Sequence, residues 1–420
     1  MKTCKRLMAV LLIGPVLAMG WVAAAYAHGE KAQEAFLRMQ TIGFFDTEYS
    51  TDKPVTGDEI TLKQGEEWHV KGTMKILETW PKTIDPPEVA YIGVTTQGPT
   101  SIMTKRVVNG KDTPHSINVD RGDVFNYEMT LQGRRVGRWH YHPIIGVEGA
   151  GSVMGPGLWI NIEEAPGGFS FPVTLINGET VDLEKYGFSL VWTLNLLGLV
   201  LGLWFMWHWT VPRATITRLA INLKIGLHDT GDDFGLIQPK DYKVMDLLAV
   251  ITIVLLVGGY WYGAATYPGG IPQQVIRFVP PEAHQDANFV SIKALEQAKY
   301  DVAGHTLVLP IEVTNTGDSP MTVTSFNTST LVFNSNASSG GRQVNVEPSD
   351  AIYPNETKSL ALSMRDTVWE EERMMPIGEA LMSVTGVVTF ENQDGHKNRI
   401  TVQMPLKPSS FVDYSGAAYF

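Results

Sequence analysis

Apolar and polar residues alternate along most of this chain, and two long apolar runs interrupt the alternation. Between about Ile42 and Glu164, short alternating stretches such as 67–76, 116–119 and 124–131 are separated by Gly, Pro, Asn and Asp turns, as half-buried strands are. The pattern returns from about Ala283 onward in 307–313, 321–326, 359–364 and 381–390, with turns at 315–318 and 350–356. Between these regions, 188–209 carries no Asp, Glu, Lys or Arg and 244–265 carries only Asp246, near its start. Each run reaches the ~20 residues that a helix needs to cross a bilayer. Trp192, Trp204, Trp207 and Trp209 in the first, and Tyr260, Trp261 and Tyr262 in the second, resemble interfacial aromatics. The predicted fold is mainly β with transmembrane helices: two β-sandwiches joined by a two-helix membrane hairpin.

The N-terminus reads as an export signal over 1–27: Lys2, Lys5 and Arg6, then an apolar stretch, then Ala25-Tyr26-Ala27 as a small-residue cut site. Cleavage after Ala27 makes His28 the first mature residue. The expected organisation is an N-terminal β domain over 28–180, membrane helices at 188–209 and 244–265, an intervening loop over 210–243, and a second β domain over 266–420. The loop holds Arg213, Arg218, Lys224, Lys240 and Lys243, which places it in the cytoplasm and both β domains on the exported side.

Charge and cysteine use narrow the chemistry. The signal removes three basic residues and no acidic ones, taking the formal net charge from −11 to −14, which argues against a nucleic-acid partner. The one cysteine, Cys4, lies in the signal near its start, so neither a disulfide nor a lipoprotein anchor is expected. A blue-copper electron-transfer centre, which needs a thiolate, is excluded as well.

All ten histidines survive processing. A terminal His28 offers a metal both its free amine and a ring nitrogen. In Trp139-His140-Tyr141-His142, strand alternation puts His140 and His142 on one face and Tyr141 on the other. Together the three histidines make a copper site of four nitrogens. As residues of an exposed strand, His140 and His142 are expected to contribute little to packing. Pro143 lacks a backbone donor and suits a strand end or an edge, and 34–39 reads as a short helix able to hold the N-terminus in place.

His208 and Asp246 read as polar residues at the cytoplasmic rim, able to snorkel, and Asn195 as a partner for a neighbouring helix. His115, His228, His284, His305 and His396 lack a partner at ligand spacing and read as ordinary surface or turn residues. Glu370-Glu371-Glu372 reads as a solvated face, and Asn336 and Asn355 stand in short glycosylation-type patterns that are frequent by chance. No nucleotide-binding loop or Ser–His–Asp arrangement is found.

Across its mature length the chain resembles the B subunit of copper-containing membrane monooxygenases, the particulate methane, ammonia and short-chain hydrocarbon enzymes. The resemblance is carried by 28-HGEK-31 with 36-FLRM-39, by 137-GRWHYH-142 and by 155-GPGLWI-160. Tyr267-Pro268, Ile271-Pro272, 314-TNTG-317 and 366-DTVWE-370 follow in the family's order. The resemblance implies two cupredoxin-like domains, a copper site made by His28, His140 and His142, and two membrane-embedded partners, the A and C subunits, in a higher oligomer. It implies a bacterial inner or intracytoplasmic membrane, with the soluble domains periplasmic, and hydroxylation of a small substrate by O2. A second copper site found in some members would have its first two histidines at Gly43 and Lys75, with a glutamine matched by Gln403. That site is expected to be absent here, and restoring both histidines should rebuild it if the strands keep the family geometry. An exported, membrane-anchored copper carrier or assembly protein is the alternative function. A receptor-like ectodomain with incidental histidines is a third.

Overall fold

The computed structural model describes residues 34–52, 59–95, 98–212, 215–224, 237–267, 269–271, 279–285, 288–337, 341–375 and 383–406. They fall into two units, 1–164 with 278–420, and 165–277.

The first unit begins with helix α1 (Ala35–Gln40) and continues as strands β1 (Ile42–Thr51), β2 (Glu59–Lys63), β3 (Glu67–Ile76), β4 (Val89–Thr95), β5 (Ser101–Val108), β6 (Lys111–Asp112), β7 (Ile117–Asn118), β8 (Val124–Gly133), β9 (Gly137–Val147), β10 (Gly151–Met154) and β11 (Leu158–Glu163). One sheet has the order β1-β3-β8-β5-β6 and the other β2-β11-β9-β4-β7, with β10 paired to β9. Their inner faces meet in one core around Trp68, Phe125, Tyr141, Ile145 and Ile160. Each fully buried side chain of this size stabilises the fold by about 1.5–3 kcal/mol.

Pro143 is not at a strand end. It lies inside β9, a central strand, opposite Val94 of β4. On its other side β9 pairs with β11 up to Tyr141 and with β10 from Ile144, so the ladder is broken at Pro143. The missing N–H faces that break, where the Pro143 carbonyl accepts from Gly155 N–H at 2.7 Å.

The second unit contains the hairpin β12 (Pro172–Thr174) and β13 (Thr180–Asp182), then α2 (Phe188–Thr210), α3 (Thr215–Lys224) and α4 (Pro239–Thr266). Helices α2 and α4 are long and apolar enough to cross a membrane. Their bulky side chains, Trp192, Leu199, Leu256 and Trp261 among them, face outward. A helix that is apolar all round and exposed fits lipid contact rather than a soluble core.

The chain then returns to the first unit as β14 (Val290–Ala294), β15 (Lys299–Asp301), β16 (Thr306–Asn315), β17 (Met321–Thr328), β18 (Leu331–Asn334), β19 (Val344–Glu347), β20 (Thr357–Arg365), α5 (Val368–Glu371), β21 (Ser383–Asn392) and β22 (Lys397–Pro405). Sheets β14-β16-β20-β19 and β18-β17-β21-β22 form the second sandwich, β15 extending the first of them. In β16 every second residue, Leu307 to Asn315, is buried. Both domains expected to be cupredoxin-like are thus two-layer β-sandwiches, in a mainly β chain.

The two sandwiches adjoin along β1. Ile42, Gly43, Phe44 and Phe45 are buried in succession, breaking the alternation, because both faces of the strand are covered. Phe45 packs with Leu77 and with Val387 of β21. Around that apolar contact, Asp46 pairs with Lys397 at 2.9 Å and with Arg399, and Thr401 Oγ1 donates to Glu78 at 2.7 Å.

Candidate metal centre

His140 and His142 stand on one face of β9, and Trp139 and Tyr141 pack toward the core. The imidazoles meet edge to face, centroids 4.4 Å apart and planes at 87°. His142 Nε2 lies 2.9 Å from His140 Nδ1. The period of two therefore places the pair as the sequence suggested.

His142 is, however, buried (7% exposed), not an exposed strand residue. The cause is the segment between β10 and β11, which crosses its ring. A Cβ on Gly157 would lie 2.6 Å from His142 Nδ1, so only glycine lets the backbone come this close. From the same segment, the Gly155 carbonyl lies 2.8 Å from Nδ1. A carbonyl only accepts, so Nδ1 carries a proton, and in the neutral ring Nε2 turns its lone pair toward His140. The contact between the two rings then takes its proton from His140 Nδ1, and a cation bound there would displace it. Two convergent imidazoles suit copper, and the residues present fit such an ion.

The His140 ring also lies 4.7 Å from Trp159, its cross-strand partner on β11. Arg138 covers the Trp159 ring at 4.2 Å and pairs with Glu59 at 2.7 Å. Inside the sandwich, the Tyr141 hydroxyl sits 2.7 Å from both Thr100 Oγ1 and Ser101 Oγ. Burial pushes this phenol above its ordinary pKa, and the two hydrogen bonds only partly counter it. Among the described residues, no group of three or more His, Cys, Asp or Glu could hold a metal. His28 lies outside the described residues.

The family model for monooxygenase B-subunit proteins matches residues 29–410. The chain belongs to this family. It is 30% identical to the "Particulate methane monooxygenase alpha subunit" of Methylococcus capsulatus (strain Bath) over 419 residues, 96% of this chain and 97% of the relative. Among solved structures, the cupredoxin domain of amoB from Nitrosocaldus yellowstonii covers 32% of this chain and 98% of its own, at 16% identity and a TM-score of 0.24. The PapD-like domain of human CEP192 also covers 32% of the chain, and 96% of its own, at 13% identity and a TM-score of 0.18.

As a monooxygenase subunit the chain works with partner subunits, and its two long apolar helices associate it with a membrane. Its other singled-out residues are now placed. Gly43 and Lys75 are cross-strand partners in the β1–β3 ladder. The Lys75 ammonium is buried, 2.9 Å from Glu78 and 3.1 Å from the Arg399 carbonyl. Gln403 donates to Ser383 Oγ at 3.3 Å, a hydroxyl that Gln40 also reaches at 3.0 Å.

Two expectations are corrected. His208 does not simply snorkel: it pairs with Asp241 at 3.0 Å, and Asp241 also accepts from Gln238 N–H, capping α4. Helix α4 begins ahead of the apolar run, at Pro239, which brings Asp241 rather than Asp246 opposite His208. His305 lies in a turn, as expected, where Glu370 pairs with it at 2.8 Å and Tyr300 donates to the same carboxylate. Glu370-Glu371-Glu372 is accordingly no plain solvated face, since Glu372 faces the buried guanidinium of Arg38 at 3.8 Å.

Sequence reading missed the parts that hold His142. The 155–157 Gly-Pro-Gly run was visible as a motif but had no assigned role, and Trp159 was visible only as its neighbour. Tyr49 lies 92 residues from the strand carbonyl it reaches, and no local signal marks it.

Proposed function

We propose that this chain is the copper-binding B subunit of a membrane-bound monooxygenase complex. The complex would hydroxylate a small substrate, methane, ammonia or a short alkane, using O2 and an electron donor. One observation carries the reading: within this family, His142 Nε2 and His140 Nδ1 converge to 2.9 Å, and a carbonyl fixes the His142 tautomer. His28, freed by cleavage after Ala27, would add its amine and ring nitrogen. Copper bound there would supply redox chemistry toward O2. The chain's own residues do the holding: Gly155 orients His142, Trp159 flanks His140, and the buried Tyr141 anchors the strand between them.

On this reading the sandwiches lie on the periplasmic side, α2 and α4 cross the membrane, and A and C subunits complete the complex. The Gly43–Lys75 position would hold no copper, because glycine offers no ligand and a buried ammonium repels a cation. The test is the intact complex purified from membranes. Intact mass should show this subunit starting at His28, and metal analysis should show copper that His140→Ala and His142→Ala each lower by about one ion. A different first residue, or copper unchanged in both variants, would overturn the assignment.

A further inference from the structure

Tyr49 stands on β1, in the sheet opposite the histidine strand, and its hydroxyl reaches across the sandwich. It lies 3.0 Å from the Tyr141 carbonyl and 2.9 Å from the Pro156 carbonyl. Tyr141 separates His140 from His142. Pro156 separates Gly155, which accepts from His142 Nδ1, from Gly157, which lies against the His142 ring. One phenol therefore joins the strand that carries the histidines to the segment that cradles one of them.

The segment needs that tie. Cross-strand pairing of β9 lapses between Tyr141–Leu158 and Ile144–Met154, leaving the Gly155 N–H to Pro143 bond as the backbone link across the gap. The Tyr141 and Pro156 carbonyls are both acceptors directed at one point, and only a donor between them offsets their repulsion. The Tyr49 hydroxyl has one proton to share between them. Its ring is fixed in turn, stacked on Trp68 at 6.1 Å and 23°, and Trp68 packs on Tyr141 at 4.7 Å.

We propose that Tyr49 is a positioning residue for His142: its hydroxyl holds the 155–157 segment against β9 and so fixes where His142 Nε2 points. As a statement about copper this rests on the proposed function; as a statement about the His142 ring it does not. Partners hydrogen-bonded directly to a ligand typically carry about 10–100-fold in metal affinity, and Tyr49, acting one bond further out, falls at the low end of that range.

The test compares Tyr49→Phe with Tyr127→Phe in the full complex. Tyr127 is a control of the same kind, a buried phenol in the same core whose hydroxyl meets Thr47 at 3.0 Å. The first readout is diethylpyrocarbonate labelling of His142 in metal-stripped complex, read by mass spectrometry, which needs no copper. The second is Cu(II) affinity by chelator competition, with the copper EPR spectrum. Tyr49→Phe should raise His142 labelling several-fold, weaken copper by about tenfold and alter the hyperfine pattern. Tyr127→Phe should do none of these, even where its Tm falls as far. Unchanged labelling in Tyr49→Phe, or equal effects in both variants, overturns the proposal. If His140→Ala and His142→Ala keep full copper, the copper reading fails, and the labelling arm still decides the role of Tyr49.

Discussion

Gly43 and Lys75 face each other across the β1–β3 ladder, and the room beside the glycine is taken by Phe45. A Cβ on Gly43 would lie 2.7 Å from the edge of that ring. The Phe45 ring cannot swing away freely, because it is buried with Leu77 and Val387 and lies 5.1 Å under the Arg399 guanidinium. Lys75, meanwhile, spends its ammonium on Glu78 and the Arg399 carbonyl. The neighbourhood is packed around a glycine and a buried, paired lysine.

Gly43→His with Lys75→His should therefore not create a copper site, because the geometry that the sequence expectation required is not kept beside Phe45. Overpacking against Phe45 should cost about 1–3 kcal/mol, seen as a lower Tm with copper stoichiometry unchanged. Adding Phe45→Ala removes the overlap, and a gain of copper only in the triple variant would identify Phe45 as the obstacle. A gain in the double variant would show that the ring yields.

The joint between the sandwiches should weaken in acid. Burial alone would raise the Asp46 carboxyl, but Lys397 and Arg399 outweigh it and hold the pKa below its ordinary value. Burial likewise raises Glu78, but Thr401 and Lys75 outweigh it, so its pKa is also lowered. Groups depressed in the folded state contribute stability that is present above the ordinary carboxylate range and lost as pH falls through their lowered values. Thermal unfolding followed from pH 7 down to about pH 3 should show Tm falling through that window. Asp46→Asn should flatten part of the fall, and a parallel curve for that variant would refute the link.

The two histidines should differ in stability though not in copper. His142→Ala removes a buried ring and leaves the Gly155 carbonyl without its donor, costing about 1–3 kcal/mol. His140 is more exposed and should cost less. Gly157→Ala adds a methyl where the His142 ring stands, so copper should fall in that variant with both histidines intact. Equal Tm losses for the two histidine variants would contradict the burial difference.

How much of this was legible in sequence follows from the range of the interactions. The alternation in Arg138–His142 was enough to pair the histidines, because period two is a local property of a strand. Pro143 misled, since whether a missing N–H matters depends on which neighbouring strands happen to lapse there. His208, Glu370 and Glu372 misled for the same reason: their partners Asp241, His305 and Arg38 come from distant positions. Tyr49 was invisible because nothing near it in the chain points to β9.

The last prediction concerns α1, the first described helix after the proposed N-terminal ligand. It is too short to hold itself, at six residues. Its anchor is the second sandwich: Met39 belongs to that core, Gln40 donates to Ser383 at 3.0 Å, and buried Arg38 donates to the Glu372 carbonyl. If His28 completes the copper site, the second sandwich, far along the chain, holds the segment that delivers it. Arg38→Met keeps most of the buried stem and removes the charged contact with Glu372, 3.8 Å away. Copper should drop in this variant although no ligand is altered, while diethylpyrocarbonate labelling of His142 in metal-stripped complex stays at its wild-type level. Full copper retention in Arg38→Met, with the Tm lowered, would mean that α1 stabilises the fold but does not govern the N-terminus.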